Sequence, residues 1–108
     1  MVRSKSKVYS RSLEDIRRIL LVHLPALRQQ YGIKALGVFG SYVKGQQRRN
    51  SDLDLLVEYE EAPTFFQFVR LERRLSELLG VKVDLVMKSA LKPSIREDIL
   101  KEVVPVEP

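Results

Sequence analysis

Apolar residues at Leu13, Ile16, Leu20, Leu24, Leu27 and Tyr31 recur at the 3.6-residue period of a helix with one buried face. Ser12 stands ahead of them as an N-cap, and Gly32 closes the segment. Pro25 lies inside it and predicts a kink or break near Leu24, because proline removes a backbone donor. The pattern then shortens. Residues 33–39 are apolar and bounded by glycines, which predicts a buried strand. Gly40-Ser41 leads into a short helix over residues 42–44 that Ser41 would cap, and residues 45–51 read as a polar loop. A second strand is expected over 52–58. After Ala62-Pro63-Thr64, a second long helix carries Phe65, Phe68, Leu71, Leu75, Leu78 and Leu79 and ends at Gly80. A third strand is expected over 81–87. A last helix starts at Ser89 or Pro93 and carries Ile95, Ile99 and Leu100, and residues 103–106 suit a short edge strand. The fold class is therefore α/β (α+β), a small sheet of three or four strands flanked by helices.

The chain has 108 residues, a length that suits one domain over 12–108 behind a flexible basic tail over 1–11. There is no Cys, so disulfides, thiolate nucleophiles and thiolate metal sites are excluded, and one His makes a zinc centre improbable. His23 reads as a packed or surface residue rather than a ligand. No apolar run approaches the ~20 residues of a membrane span, and the basic start lacks a secretory apolar stretch, so a cytoplasmic protein without membrane contact is expected. Residues 1–50 hold 11 basic and 2 acidic side chains, a net +9, whereas residues 51–108 hold 8 basic and 12 acidic, a net −4. That asymmetry is compatible with an anionic partner near the first half, or with a solvated surface and a basic tail. No nucleic-acid recognition motif accompanies it, so direct nucleic-acid binding is not expected.

Three carboxylates change the picture. Alternate residues of a strand share a face, so Asp52 and Asp54 project together while Leu53, Leu55 and Val57 face the core. Asp84 lies in the third strand, and if strands two and three are neighbours it falls about 5 Å from one of the pair. Two unit charges ~5 Å apart at an effective dielectric of ~20 repel by about 3 kcal/mol, and three such pairs by on the order of 10 kcal/mol. This rivals the stability of a small domain. The cluster must take up a proton or a cation, and hard oxygen donors favour Mg²⁺, with two ions suiting displacement at phosphorus. Upstream, Gly40 would let a phosphate approach the backbone, and the following helix start and the Ser41 hydroxyl would donate to it. Lys44, Arg48 and Arg49 are either phosphate or acceptor contacts or solvated loop charges. The combined pattern Gly40-Ser41-x3-Gly45-x5-Ser51-Asp52-x-Asp54 matches by chance roughly once in 10⁷ frames.

The stretch Val38-Phe39-Gly40-Ser41-Tyr42-Val43-Lys44-Gly45, followed by Ser51-Asp52-Leu53-Asp54-Leu55-Leu56-Val57, resembles the signature of the DNA polymerase β-type nucleotidyltransferase superfamily. Val83-Asp84-Leu85-Val86 and the segment Pro93 to Ile99 resemble its minimal nucleotidyltransferase branch, over nearly the whole span from Leu13 to Val106. The resemblance implies a nucleotidyltransferase fold with a small mixed sheet. It implies that Gly40 and Ser41 hold the triphosphate, that Asp52, Asp54 and Asp84 are the catalytic and Mg²⁺-ligating residues (two ions), and that ATP or another nucleoside triphosphate is the donor. It also implies a helical HEPN partner, with the chain acting as an antitoxin that adenylylates a tyrosine of that partner. Two alternatives stand beside this reading: a non-catalytic antitoxin that neutralises the partner by complex formation, and a small-molecule, aminoglycoside-like nucleotidyltransferase. Phe65, Phe66 and Phe68 crowd one helix start; a local second cluster is favoured over an interface.

Overall fold

The computed structural model describes residues 11–48 and 50–108. Its elements run α1 (Leu13–Tyr31), β1 (Ile33–Phe39), α2 (Ser41–Lys44), β2 (Leu53–Tyr59), α3 (Phe65–Leu79), β3 (Val83–Met87), a 3₁₀ turn (Lys88–Ala90), α4 (Pro93–Glu102) and β4 (Val104–Pro105). The tail expected over 1–11 lies outside the described residues, except for Arg11, whose Nε donates to Leu79 O at 2.7 Å.

Both long helices begin with reciprocal caps. The Ser12 hydroxyl accepts from Asp15 N–H while Ser12 N–H donates to the Asp15 carboxylate. Thr64 and Gln67 repeat the arrangement at α3, where the sequence pattern placed both a break and a cap at Ala62-Pro63-Thr64. Left-handed glycines end both helices, Gly32 at φ 66° and Gly80 at φ 69°. Pro25 does not break α1, which runs unbroken from Leu13 to Tyr31. Pro25 is exposed, and buried Ile16, Leu20, Leu24 and Leu27 anchor the turns on both sides, so packing outweighs the one missing donor.

The four strands form one mixed sheet in the order β3-β2-β1-β4. β1 is antiparallel to both β2 and β4, and β2 is parallel to β3. Helices α1 and α3 cover one face. Their stripes, with Leu71, Leu75 and Leu79 from α3, interlock with Val38, Leu53, Leu55, Val57 and Leu85 in the core. The strands are shorter at their starts than the pattern suggested: β2 begins at Leu53 and β3 at Val83. β3 is an edge strand, and two of its amides are taken by α3 side chains: Val83 N–H donates to Ser76 Oγ at 3.0 Å and Leu85 N–H to Glu72 Oε2 at 2.9 Å. This occupies an edge that would otherwise offer itself to another strand.

The opposite sheet face is thinly covered. α4 has no buried residue, and a cavity of about 160 Å³ bounded by Leu56, Gly37, Leu100 and Val103 lies between it and the sheet. Ile95, expected on the apolar stripe, is 46% exposed. The α3 start behaves differently from the expected second cluster: Phe65 and Phe66 meet edge to face at 5.9 Å but remain exposed, and only Phe68 packs on the core.

Leu75 is fully buried at the α3–sheet contact. Leu75→Ala should lower the unfolding free energy by about 2–5 kcal/mol, measured by urea denaturation, with an unchanged slope.

Candidate active site

The site is built where β1 ends and β2 and β3 begin. Register decides its centre: Asp54 pairs with Asp84 across the parallel β2–β3 ladder, and with Phe39 across the antiparallel β1–β2 ladder. Asp54 is half-buried and Asp84 exposed. Glu72 and Ser76, by holding the amides on either side of Asp84, fix the strand segment that presents it.

Asp52 stands one residue before β2, at the end of the loop rather than in the strand. Its carboxylate lies 3.8 Å from Lys82 Nζ, a partner that the sequence pattern did not single out. The loop is pinned just before it, since Arg48 N–H donates to Ser51 Oγ at 2.7 Å and Ser51 N–H returns to Arg48 O at 3.0 Å. Ser51 in the motif is therefore a turn-forming residue. Arg49 lies outside the described residues.

Gly40 meets the acid pair from the β1 side. It sits at φ 80°, ψ −150°, a conformation open to glycine and not to side chains with a Cβ. A Cβ there would also strike Asp54 Oδ2 and reach the carboxyl carbon at 3.0 Å. The absent side chain thus makes room for Asp54. Gly40 N–H is already engaged, donating to Glu102 Oε2 at 2.9 Å. Gly40, not Ser41, is the N-cap of α2, and no side chain caps this helix, because Ser41 already occupies its first turn. Val43 and Lys44 N–H close on Gly40 O, which leaves the Ser41 and Tyr42 amides ahead of the first intrahelical bonds. Lys44 Nζ faces Glu102 Oε1 at 3.7 Å. Tyr42 is buried, and its hydroxyl has no hydrogen-bond partner among the described residues.

The electrostatics follow from this crowding. Burial, then the charges of Asp84 and Asp52, a hydrogen bond with Asp84 and the charge of Glu102 push the Asp54 carboxyl up to about 6. The expected repulsion is thus present. The donors suit a hard divalent cation: carboxylate oxygens from adjacent strands, one of them held against its neighbour at the cost of ionisation. Among the described residues, however, no three acidic or histidine side chains already surround a single metal-sized point. Asp52 is paired with Lys82 in an exposed, weakly held ion pair, and its charge also acts on Asp54. Asp52, Asp54, Asp84, Gly40 and Ser41 therefore lie at one end of the sheet; Lys82, two residues before Asp84, and Glu102, 62 positions after Gly40, join them and carried no local signal.

Comparison with known proteins shows the family. The family model for the nucleotidyltransferase domain matches residues 22–106. The chain belongs to the nucleotidyltransferase family. A relative from Thermococcus cleftensis, the protein adenylyltransferase MntA, is 50% identical over 93 residues, covering 86% of this chain and 94% of the relative. A solved candidate minimal nucleotidyltransferase is 40% identical with a TM-score of 0.74, covering 88% of this chain and 96% of that one. A chain from a toxin–antitoxin structure containing AMP-PNP shares the fold at a TM-score of 0.67 and 22% identity, covering 81% of this chain and 72% of that one. The nucleotidyltransferase fold, with its small mixed sheet, agrees with the expectation from sequence. No helix among the described residues is long and apolar enough to cross a membrane.

The raised Asp54 carboxyl has a consequence for stability. Its folded value near 6 exceeds the ordinary 3.8, so the fold holds this proton more tightly than the unfolded chain does. The resulting stabilisation is complete below about pH 4 and is lost as pH rises through about 6. Above that, ionised Asp54 costs about 1–2 kcal/mol once screening by water is allowed for. In the absence of divalent ions, Asp54→Asn should therefore unfold at a higher temperature than the parent at pH 7.5, with the gap closing near pH 4. Thermal unfolding at the two pH values checks this.

Proposed function

We propose that this nucleotidyltransferase is a protein adenylyltransferase, transferring AMP from ATP to a tyrosine hydroxyl of a helical HEPN partner and thereby acting as an antitoxin. The observation that carries the reading is the pairing of Asp54 with Asp84 directly behind the Gly40-Ser41 turn. The 50% identical relative, a protein adenylyltransferase spanned over 94% of its length, supports it. The HEPN partner comes from the resemblance in sequence. A purely occluding antitoxin has no need of a partly buried acid cluster in which burial and neighbouring charges push one carboxyl up to about 6.

In this reading the phosphates of ATP lie against the Ser41 hydroxyl and the amides of the α2 start. Asp52, Asp54 and Asp84 would hold Mg²⁺, two ions in all, whose chemistry when bound is to neutralise the triphosphate and polarise the α-phosphoryl group. Gly40 keeps the phosphate turn and Asp54 within contact, so donor and acid cluster share one space. Asp84, the more exposed of the pair, faces the acceptor and receives the hydroxyl proton as the oxygen bonds to the α-phosphorus. The α–β bridging P–O bond breaks and pyrophosphate leaves with its electron pair. Exposure of the cluster on an open sheet end allows a protein side chain to reach it.

The test is transfer of label from α-labelled ATP, with Mg²⁺, to the co-purified helical partner. Asp52→Asn or Asp54→Asn should lower the rate on the order of 10³-fold or more, about 4 kcal/mol of lost charge stabilisation. Gly40→Ala should be similarly inactive while circular dichroism stays native. Unimpaired labelling by the Asp52→Asn/Asp54→Asn double variant would overturn the proposal.

A further inference from the structure

Glu102 lies beside the site, yet neither the sequence motif nor the proposed chemistry uses it. It ends α4, directly before the β4 segment whose pairing with β1 sets Gly37 opposite Pro105 and Val38 opposite Val104. Continued by that register, the next positions of the two strands bring Glu102 beside Gly40. There the backbone ladder gives way to a side chain: Gly40 N–H donates to Glu102 Oε2 at 2.9 Å, while Oε1 lies 3.7 Å from Lys44 Nζ. One carboxylate thus touches both ends of α2, its capping glycine and its last residue.

The placement is locally unfavourable. A negative charge at a helix C-terminus opposes the peptide dipoles, and this one also adds to the repulsion felt by Asp54. The hydrogen bond offsets that, since an amide donating to a charged acceptor makes a stronger bond than one donating to a neutral acceptor. What it holds is the most permissive point of the turn. A glycine between a rigid strand and a single-turn helix samples many conformations unless an external group fixes it, and α2 has no side-chain cap of its own.

We propose that Glu102 is a positioning residue for the nucleotide: by accepting the Gly40 amide it fixes the turn that presents Ser41 and the α2 amides to the triphosphate. The inference rests on the nucleotide reading above. It assigns to the C-terminal end of α4 a role in binding that α4, having no buried residue, would not otherwise have. The carboxylate acts from behind the turn and does not itself meet the phosphates. Its loss therefore weakens ATP binding more than it slows the chemical step.

The experiment compares Glu102→Ala and Glu102→Gln with the parent chain by calorimetric titration with Mg-ATP and by amide hydrogen exchange at Gly40. The alanine variant should bind Mg-ATP about 10-fold or more weakly, and its Gly40 amide should exchange far faster. The glutamine variant, whose amide oxygen still accepts, should recover affinity to within about 3-fold and retain protection. In transfer assays the alanine defect should appear in KM, with kcat within about 3-fold. Unchanged affinity in Glu102→Ala, or a glutamine variant as weak as alanine, overturns the inference. Tighter binding in Glu102→Ala overturns it as well, since the carboxylate would then be competing with phosphate. If Glu102→Ala does not fold, the glutamine variant decides alone: it must keep both the protected Gly40 amide and near-parental affinity. Absence of Mg-ATP binding by the parent chain would instead remove the nucleotide reading itself, whereas binding by the parent that Glu102→Ala leaves unaltered removes only this one.

Discussion

Two carboxylates on adjacent parallel strands, at the same level of the ladder, repel one another, and much of the site's surroundings can be understood as responses to that constraint. Asp54 is the more buried member and bears the cost as a raised pKa. Its carboxylate occupies space that any side chain at position 40 would need, so the glycine is required by the acid as well as by the turn. Lys82 pairs with Asp52. Glu72 and Ser76 hold the amides flanking Asp84 and so keep it opposite Asp54. A cation placed among these oxygens would lower the energy of an arrangement that is otherwise locally unfavourable.

The two faces of the sheet are unequal, and the inequality suits the chemistry. On one side α1 and α3 bury continuous leucine stripes against the strands and supply the core. On the other, α4 lies over the sheet without a buried residue and with a cavity beneath it. The rigid face fixes the register, and through the register the separation of the acids. The open face leaves the acid cluster accessible at its end. A small chain cannot bury both faces fully, and here the less buried face is the one that bears Asp54 and Asp84.

Much of this was legible along the chain. The helical stripes of α1 and α3, the three strands and the Gly-Ser and Asp-x-Asp pieces follow from periodicity and spacing, because each depends on neighbours a few residues away. The differences arose where distant contacts compete with local preference. Pro25 argued for a break, but four buried residues around it hold α1 together. Ser41 looked like a cap, yet the backbone places Gly40 there. Ile95 fitted an apolar stripe on a helix that has little core to meet. The aromatic pair Phe65 and Phe66 packs on itself in solvent rather than within a cluster.

By itself the sequence determined the alternation of helices and strands, the acidic and glycine residues of the candidate site and the family to which the chain belongs, since those reside in residue identity and short spacing. Only the tertiary structure decided that β2 and β3 run parallel with Asp54 level with Asp84, that Lys82 answers Asp52, and that Glu102 reaches Gly40 across 62 positions of sequence. The reason is physical: strand register and side-chain partnership across the fold are set by how whole faces pack. No local window of residues contains that information.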